Sequence, residues 1–408
     1  MSTSRDEKQL ECVKAWVKAK GRGSVIAATG FGKSRVGLNI IKLLLDKKKD
    51  LKVIVVVPTE QLQTQWFAHL NKFSGLNFRI FIINTAIKTI KDCDLLIVDE
   101  IHGAAADKWI EVFEKVTYKY VLGLTGTINR LDGKEASLFK YAPVCIEVPL
   151  AECLANKWVS DYIEYKVMIN VDLTQYRAYT EKFMHYFSQF NFDFKLAQSC
   201  LKKGRIAKAY AVKLGISESE VIGKAVQFQR YMALRTSFIT EHPKKVEIAN
   251  RIIEARPESK GISFSAKKSV VESLVNGTPY HSGISKKKRE AIVQWFCDLK
   301  KGFLHTAKAV DVGADFPGVN LGIIVCNFSS EIQKKQRLGR AIRLEEGKSV
   351  EIFTLVLRGT TEETWFKKSS VNTTYVQIEE SDLDMVLDGK PIPEKQESSD
   401  DNPILFVL

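Results

Sequence analysis

No stretch of this 408-residue sequence approaches the roughly 20 uninterrupted apolar residues that a membrane-spanning helix needs, so no membrane association is expected. The N-terminal segment Met1 to Glu11 is polar and charged, and no secretory leader is visible in it. Cysteine is present but never paired. The seven cysteines stand at 12, 93, 145, 153, 200, 297 and 326, and none forms a CxxC spacing. That scatter argues against a zinc site and against a disulfide framework, and it points to a reducing cytoplasmic compartment.

What is present describes a globular protein of two or three domains, with 45% hydrophobic and 27% charged residues. The charge is unevenly spread. Residues 376–408 carry nine acids against Lys390 and Lys395, a net of −7 within a chain of net +13, so the body before them stands near +20. An excess of that size suits a polyanionic partner, although a merely soluble surface would show it too.

The segment Val25-Ile-Ala-Ala-Thr-Gly-Phe-Gly-Lys-Ser34 reads as a short apolar strand, a glycine-rich turn and a helix start. Small residues there let backbone N–H groups close around a phosphate, and the helix N-terminus adds its positive end. Lys33 can reach β and γ oxygens, and the Ser34 hydroxyl can ligate Mg²⁺. Ala27 stands where the strict phosphate-loop pattern has glycine, and a glycine turn opening a helix with no ligand would carry similar residues. The second half of such a site is a buried strand ending in an acid. Cys93-Asp-Leu-Leu-Ile-Val-Asp-Glu-Ile-His102 supplies one, its apolar run matching a central parallel strand covered on both faces. Asp99 is the candidate for the Mg²⁺ shell, and Glu100 for orienting or deprotonating water.

Asp99-Glu-Ile-His102 resembles motif II of the superfamily-two helicases, and Ala28-Thr29-Gly30-Phe31-Gly32-Lys33-Ser34 resembles their motif I. Val57-Pro58-Thr59 with Gln65-Trp66 is similar to motif Ia, and Asn84-Thr85-Ala86 stands where motif Ib falls. Leu124-Thr125-Gly-Thr127-Ile-Asn-Arg130 resembles motif III, and Gln9 stands where the family reads adenine. Gly261-Ile-Ser-Phe-Ser265 resembles motif IV, and Leu304-His-Thr306-Ala-Lys308 through Pro317 resembles motif V. Motif V carries Val312 where relatives often have an acid, with Asp311 one place earlier. Gln336-Arg-Leu-Gly-Arg340-Ala-Ile-Arg343 matches motif VI at each defined position. On a helix Arg340 and Arg343 share a face, with Gln336 one turn before, which suits an arginine-finger role. Arg130 to Lys134 and Val148 to Glu152 resemble the branch that holds phage UvsW-type recombination helicases and XPB-like translocases, whose setting would be a host cytoplasm.

The resemblance implies an α/β fold of two tandem RecA-like lobes with parallel sheets, a helical insertion between them and an acidic C-terminal tail. It implies ATP and Mg²⁺, a nucleic-acid partner with DNA favoured, a monomer and 3′ to 5′ movement. The ATP-site residues are Gln9, residues 28–34, Asp99, Glu100, Gln336, Arg340 and Arg343; the coupling residues are His102, Thr125 and Thr127. Nucleic-acid contacts fall to Pro58, Thr59, Thr85, Thr306 and Lys308. The expected division is a first lobe over 1–155, a linker and helical insertion over 156–240, a second lobe over 241–375 and a flexible tail over 376–408. Within the insertion, aromatic residues from Leu173 to Phe190 recur at helical spacing, and Ser217 with Glu220 forms a capping box. The basic run Lys202, Lys203, Arg205, Lys208 and Lys213 marks either an arm that meets DNA or a solvated packing face. The tail, acidic and then apolar at Ile404 to Leu408, is a candidate for docking a protein partner. A duplex translocase that separates no strands, an RNA helicase and an ATP-gated clamp would share most of these residues.

Overall fold

The computed structural model describes residues 4–28, 30–89, 92–101, 107–126, 136–307, 316–326, 349–370 and 375–391. The first sheet consists of β1 (Arg22–Ala27), β2 (Lys52–Val57), β3 (Asn77–Ile82), β4 (Asp92–Asp99), β5 (Thr117–Thr125) and β6 (Val144–Val148). They lie in the order β3-β2-β4-β5-β1-β6, all parallel. Their sequences explain the placement. The apolar stretch of β2 is buried from Val53 to Val57 and that of β4 from Leu95 to Asp99, as a sheet covered on both faces requires. Among the described residues, seven helices accompany this sheet: α1 (Arg5–Lys18), α2 (Lys33–Leu45), α3 (Glu60–Leu70), α4 (Ile83–Thr89), α5 (Asp107–Lys115), α6 (Ala136–Phe139) and α7 (Leu150–Ala155). Two cores separate on either side of the sheet. One gathers Trp16, Ile40, Val55 and Trp66; the other gathers Val56, Leu96, Val98 and Phe113.

The second sheet orders its strands β13-β7-β12-β11-β8-β10-β9, again all parallel. They are β7 (Asp161–Ile169), β8 (Lys260–Ser265), β9 (Gly277–Tyr280), β10 (Gly302–Ala307), β11 (Leu321–Ile324), β12 (Ser349–Leu357) and β13 (Val376–Glu379). Two of these revise the expected divisions. Residues 161–169, expected in the linker, form β7 beside β12. Residues 376–379, expected to open a flexible tail, form β13 on the far side of β7.

Helices α8 (Thr174–Ser188), α9 (Phe194–Ser199), α10 (Arg205–Leu214) and α11 (Glu218–Glu241) form the insertion between β7 and α12 (Pro243–Glu254). The Ser217–Glu220 capping box is present at the start of α11. The insertion has its own core, with Phe183, Phe187, Phe190, Tyr210 and Phe228 packed together and no residue from either sheet among them. Further on lie α13 (Lys268–Glu272), α14 (Lys286–Asp298), α15 (Thr361–Ser369) and α16 (Leu383–Leu387). Lys245 and Glu362, both buried, pair at 2.6 Å and tie α12 to α15. Glu362 also accepts the Leu357 N–H at 3.0 Å, so the buried charge is hydrogen-bonded as burial demands.

The segment after β13 is held rather than loose. Leu383 and Val386 of α16 join the core that contains Ile248 and Phe353. Its acids meet bases on the second lobe: Asp384 with Arg251 at 2.7 Å, Glu380 with Lys244 at 2.8 Å and Glu379 with Arg358 at 2.6 Å. The acidic composition that suggested disorder is thus partly the complement of basic residues on α12 and beyond β12. The remaining tail, residues 392–408 with its candidate partner-docking tip, lies outside the described residues. Among the described residues, no helix is long and apolar enough to cross a membrane.

Candidate active site

The carboxyl ends of β1, β5 and β4 lie side by side, because β4 and β5 insert between β2 and β1. That is where an open parallel sheet binds its ligand. From β1 the chain turns through the glycine loop into α2, whose N-cap is Gly32 with φ of 96°. A Cβ on Gly32 would stand 2.6 Å from Gln9 Nε2, besides facing the left-handed backbone, so glycine is required twice over. Gln9 is itself buried, and its Nε2 donates to the Phe31 carbonyl at 2.8 Å. The glutamine expected to read adenine is therefore tied to the loop that would hold the phosphates. Phe31, also expected at the nucleotide, turns its ring into the core against Trp158 at 5.7 Å and offers the loop only its main chain. Lys33 Nζ donates to the Ala27 carbonyl at 3.3 Å, and Ser34 follows in the first turn of α2. Thr29 lies outside the described residues.

At the end of β4 stands Asp99, 5% exposed. One carboxylate oxygen, Oδ1, accepts the Glu100 N–H at 3.0 Å; the other, Oδ2, accepts the Trp66 indole N–H at 2.8 Å. Glu100 takes a left-handed φ of 52°, a conformation that costs a non-glycine residue about 1 kcal/mol. Such strain is common where chemistry fixes the backbone. Burial, reinforced by the negative charge of Glu100, pushes the Asp99 carboxyl up to about 6, against the opposing pull of the Trp66 N–H and the Lys33 ammonium. A carboxyl whose folded pKa is raised keeps its proton longer in the folded state than in the unfolded one. The fold therefore loses stability as pH climbs from the ordinary carboxylate range to about 6, and carries the whole cost above that window. Asp99→Asn should accordingly raise the melting temperature of the nucleotide-free protein at pH 8 and leave it nearly unchanged near pH 4. Equal effects at both pH values, read by thermal melting, would contradict this account.

A buried carboxylate at the end of β4 and a hydroxyl in the first turn of α2 are hard oxygen donors of the kind that suit Mg²⁺. Among the described residues no group of three or more His, Cys, Asp or Glu side chains gathers as a metal cage.

Thr125, at the end of β5, is fully buried beside these elements. His102, Thr127, Gln336, Arg340, Arg343 and Lys308 lie outside the described residues. Of the expected nucleic-acid contacts, Pro58 and Thr59 are half-buried at the start of α3, where Thr59 caps the helix by accepting the Leu62 N–H at 3.4 Å. Thr85 is exposed on α4. Thr306 is buried within β10, its hydroxyl donating to the Ser263 carbonyl at 2.9 Å, so it braces the strand. Trp66 is the site residue whose role the sequence did not disclose. It was visible beside Gln65 only as part of a motif on the nucleic-acid side.

Residues 3–92 and 84–130 match the family described as the type III restriction enzyme res subunit, and residues 244–345 match the helicase conserved C-terminal domain. The DNA 3'-5' translocase XPB2 of Sulfurisphaera tokodaii is 26% identical over 86% of this chain and 81% of its own length. Among solved structures, Dbp5 of S. cerevisiae bound to RNA and ADP BeF3 superimposes with a TM-score of 0.60 at 13% identity, covering 93% of this chain and 91% of that one. The Hef helicase domain of Pyrococcus furiosus gives 0.51 at 16% identity, covering 90% and 100%. These two share the fold of tandem RecA-like lobes. With the matched families spread over both parallel-sheet lobes, the chain belongs to the superfamily-two helicases, XPB-like in kind, and is an ATP hydrolase.

Proposed function

We propose that this motor steps 3′ to 5′ along DNA and acts on branched or forked DNA in replication or recombination. The observation that carries the reading is the insertion. It packs around a core of its own, outside both sheets, and leaves Lys202, Lys203, Arg205, Lys208 and Lys213 all exposed on one loop and the helix that follows. Phe192 and Phe194, where the same insertion enters α9, are each 48% exposed, and exposed aromatic rings are what a splayed strand stacks upon. The similarity to a protein named a DNA 3'-5' translocase supports both the substrate and the polarity.

In the proposed cycle Lys33 binds the β and γ phosphate oxygens, while Ser34 and Asp99 hold Mg²⁺. The ion, when bound, neutralises charge on the transferring phosphoryl group. Glu100 orients the attacking water and accepts its proton. Arg340 and Arg343 approach from the second lobe, and Thr125, with His102, Thr127 and Gln336, relays the state of the γ-phosphate. Pro58, Thr59 and Thr85 grip the phosphate backbone, with Lys308 as the second-lobe contact. Contacts of this kind carry little sequence information, which suits a motor that must cross any sequence.

The test is ATPase activity stimulated by single-stranded, duplex, forked and four-way DNA and by RNA. Forked or four-way DNA should stimulate most; stimulation by RNA alone would overturn the reading. Binding should fall steeply with salt, because phosphate contacts release counterions. Reversing the charges of Lys202, Lys203 and Arg205 together should lower the slope of log affinity against log salt by up to about 3. An unchanged slope with retained fork preference would reduce the insertion's basic face to solvation. A second reading, translocation on duplex without strand separation, is favoured by the word translocase in the relative's name. It predicts triplex displacement without unwinding.

A further inference from the structure

Trp66 occupies a place where three parts of the nucleotide site converge. It rides on α3 and is 1% exposed. Its indole N–H donates to Asp99 Oδ2 at 2.8 Å across 33 residues of sequence. The far side of the ring lies against α2, the helix that begins at Lys33. A Cβ on Gly37 would stand only 2.9 Å from Trp66 Cη2 and 3.6 Å from Leu124 Cδ1 of β5, so the glycine leaves the space the ring occupies. One side chain thus touches the helix behind the phosphate loop and the carboxylate that suits the metal, close to the strand that ends at Thr125. The helix that carries it starts at Thr59, and the exposed Glu60 of its first turn pairs with Lys286 of α14 in the second lobe.

A carboxylate that ligates a metal is held in register by hydrogen bonds to its other oxygen, and loss of such a partner commonly lowers metal affinity about 10- to 100-fold. Asp99 accepts two hydrogen bonds, one on each oxygen. The one from Glu100 is local, made by the next residue's backbone, and moves with the strand end. The one from Trp66 arrives from a separate helix, and its length depends on how α3 sits against β4. We propose that Trp66 is a positioning residue that orients the Asp99 carboxylate for Mg²⁺ and makes that orientation depend on the placement of α3. Movement of α3, whether from a nucleic-acid contact at Thr59 or from the second lobe at Glu60, then reaches the metal carboxylate through one hydrogen bond. The first half of the proposal concerns the ATP site alone; the second half rests on the proposed nucleic-acid contact.

Trp66→Phe keeps an aromatic ring in the space and removes the N–H. The measurement is equilibrium binding of a fluorescent, non-hydrolysable ATP analogue to the full chain, titrated with Mg²⁺ and repeated in EDTA. The variant should need about 10- to 100-fold more Mg²⁺ for half-maximal binding, with affinity in EDTA unchanged. An unchanged Mg²⁺ midpoint would overturn the proposal, and so would an equal loss with and without Mg²⁺, which marks a packing defect. If Trp66→Phe does not fold, Gly37→Ala decides the matter. It keeps the N–H but displaces the ring, and it should shift the Mg²⁺ midpoint in the same direction. The coupling half is read as the ratio of DNA-stimulated to unstimulated ATPase, which should fall towards 1 in either variant. A wild-type protein that no nucleic acid stimulates would defeat the proposed function while leaving the Mg²⁺ result to stand or fall by itself.

Discussion

Glu100→Gln should keep nucleotide and nucleic-acid binding while losing turnover by about 10²- to 10⁴-fold, the usual worth of a positioned general base. Glutamine is nearly isosteric with glutamate and can still hold a water, but it cannot take the proton. It also removes the charge that helps push up the neighbouring Asp99 carboxyl, so binding of Mg²⁺-nucleotide should not weaken. Lys33→Ala should fail one step earlier. It deletes the ammonium placed at the helix start behind the loop, together with its 3.3 Å bond to the Ala27 carbonyl, and nucleotide binding itself should be lost. The pair separates binding from chemistry when equilibrium binding and steady-state hydrolysis are measured side by side. Near wild-type hydrolysis by the Glu100→Gln protein would show that another group activates the water.

Arg343→Ala should lower the maximal rate of ATP hydrolysis about 10²- to 10³-fold while leaving the fold and the affinity for ATP on the first lobe intact. Arg343 closes the motif VI pattern of the sequence, and residues 327–348 lie outside the described residues. A guanidinium that meets the phosphoryl group only as charge develops on it contributes to the transition state and not to the bound ground state. The diagnostic is therefore the split between the two kinetic parameters. A variant with a raised KM and an unchanged maximal rate would show a ground-state contact instead.

The strand, glycine turn and helix around Lys33, and the apolar strand ending in Asp99, were legible because each is a contiguous run whose local chemistry dictates its shape. The amphipathic pattern from Leu173 to Phe190 and the capping box at Ser217 foretold α8 and α11 for the same reason. Short elements whose partners are distant were not legible. Four residues of β13 offer too little periodicity to declare a strand, and their pairing partner β7 lies some two hundred residues earlier in the chain. The composition around them, rich in acid, argued for disorder until Arg251, Lys244 and Arg358 were seen to meet that acid.

By itself, then, the sequence determined the parallel α/β class, the two halves of the nucleotide site and the helical character of the insertion. Those depend on neighbours along the chain: small residues at a turn, β-branched and aliphatic runs in a covered strand, a regular apolar spacing on a helix. Only the tertiary structure decided which side chains meet. It placed Gln9 on the Phe31 carbonyl, turned Phe31 into the core, buried Thr306 against Ser263 and brought Trp66 onto Asp99. The physical reason is the same in each case. A contact between residues far apart in sequence is set by how helices seat on the sheet and how strands pair, and that arrangement minimises the free energy of the whole packed core, which no local pattern encodes.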